Sequence, residues 1–377
     1  MISSSLRSRR QALQGAAALA LSSLALPSTS RDNPMTSSAA STRAPAVPAH
    51  LQNTPTDEFS TQTWGANSHI DTGTYAIERV TFPSQGSMIV GNALLPKTAG
   101  KKPAVVIIGP VAYVKEQSPM QYATRMVRED FIAIAFDPRF HGESEGLPRR
   151  FESRTAKVQD VRAVLDYLAA RPDVDANRLY VLGVCQGSNW AIEACTQDSR
   201  VKALSLVAGH YLVPQVAAMY LGSPEKVANR IARGNSARAR FEATGQVDYI
   251  PIIGDADALL PAPVIGQFYS RWSDRGPFWN FHGLWENRIT AMSEADIWGH
   301  NVADVMKNLN TPTLMIHANR AASGPMVPKD LFALIPASQK ALIFMSGQNQ
   351  MMFYEDPITL DTVAPKVAEF FRSAQIV

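Results

Sequence analysis

Cysteine is nearly absent from this chain, whose 377 residues hold only Cys185 and Cys195. A disulfide framework is thereby excluded. Ten residues along one helix span about 15 Å, more than twice what a disulfide bridges, so both cysteines are expected to be free thiols. Charge is scarce as well: 18% of residues are charged and the net charge is +3. Without a basic stripe there is no case for nucleic acid, and the nearest thing to a basic run, Arg230 to Arg240, reads as the solvated face of a helix. Long apolar runs are also missing. Ala12 to Leu26 is uncharged and rich in Ala and Leu, but its length of about 15 residues is too short for a convincing membrane span. The third glycine of a dinucleotide fingerprint is absent too. Gly183 and Gly187 flank a turn between a strand and a helix, and the next strand, Ala203 to Ala208, ends in Gly209-His210 with no acid for a ribose.

What is present begins with an address. Arg7, Arg9 and Arg10 precede the Ala/Leu run, and Pro27-Ser-Thr-Ser30 follows it, the layout of an export signal. Ser8-Arg9-Arg10 followed by Leu13 resembles a twin-arginine signal, although Ala12 stands where a bulky residue is usual. Residues 31–74, rich in Ser, Thr, Pro and Ala, read as an unstructured linker. The expected location is therefore periplasmic or extracellular.

Regular patterning starts at Tyr75. Ala76 to Phe82 and Ser87 to Leu94 read as a hairpin through Pro83-Ser-Gln-Gly86, and Ala104 to Ile108 as a buried strand. Gln117 to Arg128 is helical, Phe131 to Phe136 a strand, Thr155 to Ala170 a helix, and Leu179 to Leu182 a strand. The expected fold class is α/β, a mostly parallel central sheet with helices on both faces. Chemistry in such a sheet collects at the carboxyl ends of the strands. After Ala203 to Ala208 the alternation stops until Thr313 to His317. Residues from about 212 to 305 form an insertion holding Trp272, Trp279, Trp285 and Trp298, which reads as a lid over an apolar pocket or as the insertion's own core. Lys340 to Met345, a loop and the helix Asp361 to Ala374 complete the chain.

The stretch Leu179-Tyr-Val-Leu-Gly-Val-Cys-Gln-Gly-Ser-Asn-Trp-Ala191 carries the chemistry. A strand, a one-residue turn and a helix place Cys185 at a nucleophile elbow, with glycines two before and two after it to keep side chains out of the turn. Its sulfur would lie at a helix N-terminus, where amides and dipole favour an anion and lower a thiol pKa. Cys as a small buried hydrophobe is the alternative.

Taken with Val114-Lys-Glu-Gln117, Phe136-Asp-Pro-Arg-Phe-His-Gly-Glu-Ser-Glu-Gly146, Val201-Lys-Ala203, Val207-Ala-Gly-His210, Thr311-Pro-Thr-Leu314 and Phe353-Tyr354, the elbow resembles the α/β-hydrolase fold. More narrowly, residues from about 76 to 377 resemble bacterial dienelactone-hydrolase-type and YcjY-like members with a Cys nucleophile. The resemblance implies an acid in the loop after Thr313 to His317 and a histidine in the loop after Lys340 to Met345. Those positions fall on Ala321 and Gln350. A serine nucleophile would be nearly silent without its base, at a cost of about 10² to 10⁴ in rate, whereas a thiol suffers less.

The substitute base expected is His210, with His141 as an alternative whose place in a His-Gly-x-Ser turn is usually structural. His282 and His300 belong to the insertion, and His317 reads as a core histidine. The elbow makes the Gln186 amide one oxyanion donor. In Gly109-Pro-Val-Ala112, Pro110 has no N–H, so Val111 or Ala112 is the other. Glu116 reads as an anchor for that loop. The expectation is an exported Cys-dependent acyl hydrolase of an ester, lactone or thioester. The alternatives are non-hydrolytic chemistry (lyase, isomerase or acyl transferase) and a binding protein that has lost catalysis. A small-molecule substrate is implied, and no motif asks for a metal or cofactor. The sequence leaves the oligomeric state open.

Overall fold

The computed structural model describes residues 69–261, 263–272 and 285–374. The expected export signal, the linker as far as residue 68, Trp279 and His282 lie outside them. Its strands in chain order are β1 (His69–Asp71), β2 (Tyr75–Ser84), β3 (Ser87–Pro96), β4 (Lys102–Ile108), β5 (Ile132–Phe136), β6 (Val174–Val184), β7 (Val201–Val207), β8 (Tyr249–Ile250), β9 (Ile289–Thr290), β10 (Thr313–Arg320) and β11 (Lys340–Asn349). Among the described residues, nine of them form one sheet in the order β1-β2-β3-β5-β4-β6-β7-β10-β11. From β5 to β11 every pairing is parallel, and β1 to β3 add an antiparallel edge.

The burial of each strand follows its place. Every residue of β4 and β5 is buried, as a strand covered on both faces requires. In β2 burial largely alternates. Its turn to β3 is tighter than the sequence suggests: Ser84 pairs with Ser87, leaving Gln85 and Gly86 at φ 47° and 79°, the two positive angles of a type I′ turn. Pro83 thus belongs to the strand. It is tolerated because β1 pairs with β2 only from Ala76 to Glu78, so the outer edge at Pro83 offers no ladder bond to lose.

Helices α1 (Ser118–Arg128), α2 (Arg154–Ala170) and α3 (Gly187–Gln197) connect the parallel strands. The insertion between β7 and β10 carries α4 (Pro214–Leu221), α5 (Pro224–Thr244), α6 (Pro263–Tyr269), α7 (Ser293–Trp298) and α8 (Val302–Met306). The chain ends in α9 (Met326–Leu334), α10 (Met352–Glu355) and α11 (Pro357–Ser373). α1 packs with α11 and α2 with α3, as two groups against the sheet. Among the described residues no helix is long and apolar enough to cross a membrane.

The basic run is a solvated face only in part, with Arg240 exposed. Arg230 and Arg233 both pair with Glu294, a fully buried carboxylate, and Arg238 pairs with Asp296. These arginines fasten α5 to α7.

The sheet also explains where a site forms. The chain leaves β4 for β5 on one side and returns to β6 on the other, so β4 and β6 are neighbours whose following segments diverge. Such a switch point opens a crevice at the strand ends. Ile108 stands beside Gly183 there, which brings the loop after β4 against the turn after β6.

Candidate active site

Between β6 and α3, Cys185 adopts φ 57°, a left-handed conformation uncommon for a residue with a side chain and costing on the order of 1–3 kcal/mol. Its surroundings impose it. The Cys185 N–H donates to the Val207 carbonyl at 3.0 Å, and the Cys185 carbonyl accepts from Ser188 at 3.1 Å. Both flanking glycines are sterically required. A Cβ on Gly187 would lie 2.4 Å from the Gly109 oxygen and 2.6 Å from the Ile108 oxygen, and one on Gly183 would lie 2.8 Å from the Ser188 Cα. The start of α3 is thereby seated directly on the exit of β4.

The loop after β4 supplies the second amide. The Gln186 and Val111 backbones lie at the Cys185 thiol, where each acts to lower its pKa. Ala112 does not join them, because its N–H donates to Glu152 Oε2 at 2.9 Å. Of the two expected candidates Val111 is therefore the one that stands at the thiol. Glu152 is fully buried and paired with Lys157, itself 1% exposed. The Lys157 ammonium lies 5.0 Å over the Tyr113 ring. A second buried cluster fixes the far end of the loop. Lys115 donates its backbone N–H and its ammonium to Asp137 at 2.7 and 2.8 Å and pairs with Glu116 at 2.7 Å. Those carboxylates outweigh burial and raise the Lys115 pKa, so Glu116 belongs to the anchor.

The thiol departs from the expectation of a lowered pKa. Burial pushes Cys185 up to about 11, and the polar groups of Tyr354, Gln186, Gln350 and Val111 beside it offset that only in part. With 5% of its surface exposed, the sulfur has lost more hydration than the helix terminus and its donors return. Cys195 is also buried, and its thiol is pushed up further by burial and by Asp198.

Tyr354 was quoted from the sequence only as part of a Phe-Tyr pair, yet it lies beside the thiol, and the two shift each other's pKa. It comes from α10, just past β11, and is positioned by Gln350. The Gln350 amide has one consistent orientation. Its Oε1 accepts from the Ala322 N–H at 2.8 Å, and its Nε2 donates to the Ala208 carbonyl at 2.8 Å and to the Tyr354 oxygen at 2.9 Å. A flipped amide would set oxygen against carbonyl and NH₂ against N–H. The loops holding Ala321 and Gln350 thus meet beside the elbow, and a glutamine bridges them to Tyr354.

His210 is held in an aromatic cluster. Its ring is 2% exposed and packs on Tyr220 at 4.7 Å and Trp298 at 6.4 Å between centroids. Burial lowers its pKa to about 4. The strand β7 does bring the residue to the elbow, but through its backbone: the His210 carbonyl accepts from Asn189 of α3 at 2.9 Å.

His141 is tied at Nδ1 to the Arg139 carbonyl at 3.0 Å and lies 3.5 Å from Glu152, with burial first and Lys157 second holding its pKa well down. That is a structural environment. His300 packs on Trp190, and His317 sits 3.0 and 3.2 Å from the Ala318 and Gly209 carbonyls. Among the described residues no group of three or more His, Cys, Asp and Glu side chains is arranged to hold a metal ion.

The insertion brings two more tyrosines to the thiol. Burial, with the nearby Cys185 as the next cause, raises the pKa of both Tyr220 and Tyr269. Tyr269 donates to the Val111 carbonyl at 2.8 Å and stacks on Trp285 at 5.1 Å, while Phe268 meets Tyr354 edge to face at 5.1 Å. Trp285 and Trp298 pack against these tyrosines, the first on Tyr269 and the second on Tyr220.

This architecture agrees with what sequence comparison finds: residues 118–356 match the family model described as serine aminopeptidase, S33. The chain belongs to that α/β-hydrolase family. Its relatives include uncharacterized protein PA2218 of Pseudomonas aeruginosa, 35% identical over 201 residues, a match covering 52% of this chain and 51% of that protein. Superposed on the crystal structure of PA2218, the S33-family chain gives a TM-score of 0.68 at 25% identity, with 82% of this chain and 97% of that one covered. Uncharacterized protein YcjY of Escherichia coli is 25% identical over 277 residues, covering 71% of this chain and 88% of that protein. A polyketide transferase of Aspergillus fumigatus is 26% identical over 278 residues, covering 73% and 90%. The family description names a serine enzyme, and this S33-family chain has Cys185 at the elbow.

Proposed function

We propose that this protein is an acyl-processing α/β-hydrolase in which Cys185 takes the acyl group of an ester, lactone or thioester, and that the mature enzyme works outside the cytoplasm. The observation that carries the reading is Cys185 held at φ 57° in the turn between β6 and α3, with the Val111 and Gln186 backbones beside it. A sulfur acylated there would leave the carbonyl oxygen beside both amides, and one such donor contributes about 10² to 10³ in rate. A purely structural cysteine has no use for a strained backbone.

Water as the final acceptor makes the enzyme a hydrolase. Transfer to another nucleophile is the second reading. It is favoured by the groups that act on the thiol most strongly, a phenol, an amide side chain and two backbone groups. The polyketide transferase among its relatives is consistent with transfer. The test is a screen of short nitrophenyl esters and acyl thioesters comparing wild type with Cys185→Ala. Equal rates in the two proteins would remove the nucleophile and favour a binding role. For location, N-terminal sequencing of the protein from a periplasmic fraction should find the first 30 residues removed. Full-length chain in washed membranes contradicts export.

A further inference from the structure

We propose that the cavity between α4, α5 and the loop from Gly254 to Pro261 is the outer half of the substrate site, and that it takes a carboxylate carried on the substrate's acyl chain. The use of this cavity in turnover rests on the reading of Cys185 as the acylated residue.

The cavity has a volume of about 620 Å³, within the range of sites that hold small molecules. One wall is a stripe of α5. Lys226, Asn229, Arg230 and Arg233 all line it, and steps of three, four and seven residues put them on a single helix face. The loop from Gly254 to Asp257 forms another wall, and Tyr220, Leu221 and Pro261 supply the apolar part. Tyr220 is the link to the elbow. Its ring lies 4.7 Å from that of His210, and the His210 carbonyl accepts from Asn189 in the first turn of α3, the helix that Cys185 precedes. One aromatic pair therefore separates the cavity from the start of α3.

The α5 residues divide between building the cavity and facing a ligand. Arg230 builds it: Nη1 donates to Glu294 and the Asp257 carbonyl at 2.8 and 2.9 Å, and Nη2 to the Ala256 and Ala258 carbonyls at 2.5 and 3.3 Å. Both terminal nitrogens are spent. Arg233 uses Nε and Nη2 on Glu294 at 2.6 and 2.8 Å, while its Nη1 lies 3.7 Å from Asp257, too far for a hydrogen bond. The Lys226 ammonium and the Asn229 amide have no hydrogen bond or ion pair among the described residues. Lys226 Nζ, Asn229 Nδ2 and Arg233 Nη1 are thus three donors on one helix face with no acceptor.

Charge decides what they take. Arg230 and Arg233 share the single carboxylate of Glu294, which leaves one positive charge on that wall, and Lys226 adds a second. Asp255 and Asp257 would cancel these if every group were equally solvated. The Asp257 side chain is 89% exposed, against 35% for Arg233 and 12% for Arg230, and Asp255 is exposed as well. Water screens the aspartates, while the excess charge of the arginine pair sits where screening is weaker. The field in the cavity therefore favours an anion. Asp257 beside Arg233 limits it to a single negative charge, which a carboxylate carries and a phosphate exceeds. An anchor on the acyl chain persists after the leaving group has gone, so the charge belongs on that side.

The test uses the full chain and nitrophenyl half esters of dicarboxylic acids from adipate to dodecanedioate, each against the nitrophenyl ester of the neutral acid of the same length. At the best-fitting length, wild type should show a KM about 10- to 100-fold lower for the charged ester, as a charge-assisted hydrogen bond provides, and high salt should shrink that advantage. Lys226→Met should lose about tenfold of the preference, with neutral-ester turnover in the same preparation reporting that it is folded. Calorimetry of free sebacate with Cys185→Ala reads the cavity without chemistry. Sebacate should bind, about tenfold more weakly once Lys226→Met is added, and inorganic phosphate should compete poorly. Equal KM for charged and neutral esters at every length overturns the site, as does sebacate binding unmoved by Lys226→Met or phosphate binding as tightly as sebacate. Lys226-dependent sebacate binding alongside equal ester turnover in wild type and Cys185→Ala keeps the anion site and overturns the reading of Cys185.

Discussion

Removing the Glu152 carboxylate should damage stability and the oxyanion site by separable routes. Glu152 sits immediately before α2, fully buried, with one oxygen on the Lys157 ammonium and the other on the Ala112 N–H at 2.9 Å. In Glu152→Ala the ammonium stays in a site that leaves it 1% exposed. Stranding a buried charge costs about 3–5 kcal/mol, and an unpaired buried amide about 1–3 kcal/mol. These losses overlap, so about 4–6 kcal/mol is expected, a large part of the 5–15 kcal/mol typical of a whole domain. The double variant Glu152→Met, Lys157→Met removes both charges and should recover most of it, since replacing a buried pair by apolar side chains is often neutral. Activity should not recover. The Ala112 N–H still has no acceptor, the loop is free to turn, and the Val111 amide loses its place at the thiol, a loss on the order of 10² to 10³ in acylation rate. Denaturant melts and single-turnover acylation measured on the same preparations read the two effects. A double variant with wild-type acylation, or Glu152→Ala with an unchanged melting midpoint, refutes the assignment.

Limiting iodoacetamide should label Cys185 before Cys195, because the polar groups beside it pull its pKa back to about 11 while Cys195 has Asp198 against it; earlier labelling of Cys195 contradicts this, and the Cys185 rate should climb about tenfold per pH unit below its pKa. His210, depressed to about 4 by burial, stays neutral in the fold while the unfolded chain protonates near 6.5. Stability should therefore be complete above pH 6.5 and decline by about 3 kcal/mol as pH falls to 4. Urea melts across that range should show the decline reduced in His210→Phe, and an identical decline in that variant assigns it elsewhere. With a nitrophenyl ester, whose leaving group needs little protonation, a burst near one equivalent per enzyme should precede a slow steady rate, because acyl release needs a base that Gln350 cannot provide. A linear trace with no burst contradicts slow release. Gln350→His should speed the slow phase more than the burst, though Ala321 gives the new imidazole no acid partner.

Several features were legible from residue order alone, and for one reason: each depends on neighbours in the chain. The glycines at 183 and 187 announce a turn that excludes side chains, and the structure shows what they avoid, the Ser188 backbone and the Gly109 and Ile108 oxygens. The apolar runs at 104–108 and 132–136 read as buried strands, and β4 and β5 are buried throughout. The interruption from about 212 to 305 read as an insertion, and α4 to α8 occupy it. The resemblance set the acid and histidine positions on Ala321 and Gln350, and Gln350 meets the first of these loops through the Ala322 N–H.

What only the tertiary structure decided are contacts between residues distant in sequence and the solvation of each group. Val111 and Ala112 are indistinguishable in a loop sequence, and the choice falls to Glu152, 40 residues on. His210 follows the right strand, but its ring packs on Tyr220 and Trp298. The helix N-terminus argued for an acidic thiol, whereas the depth of burial makes it a weak one, because desolvation depends on everything packed around the sulfur and not on the helix it caps. Tyr354 lies 169 residues from Cys185 in the chain, and no spacing rule connects them. Its place beside the elbow arises where α10 follows β11 and Gln350 holds its hydroxyl.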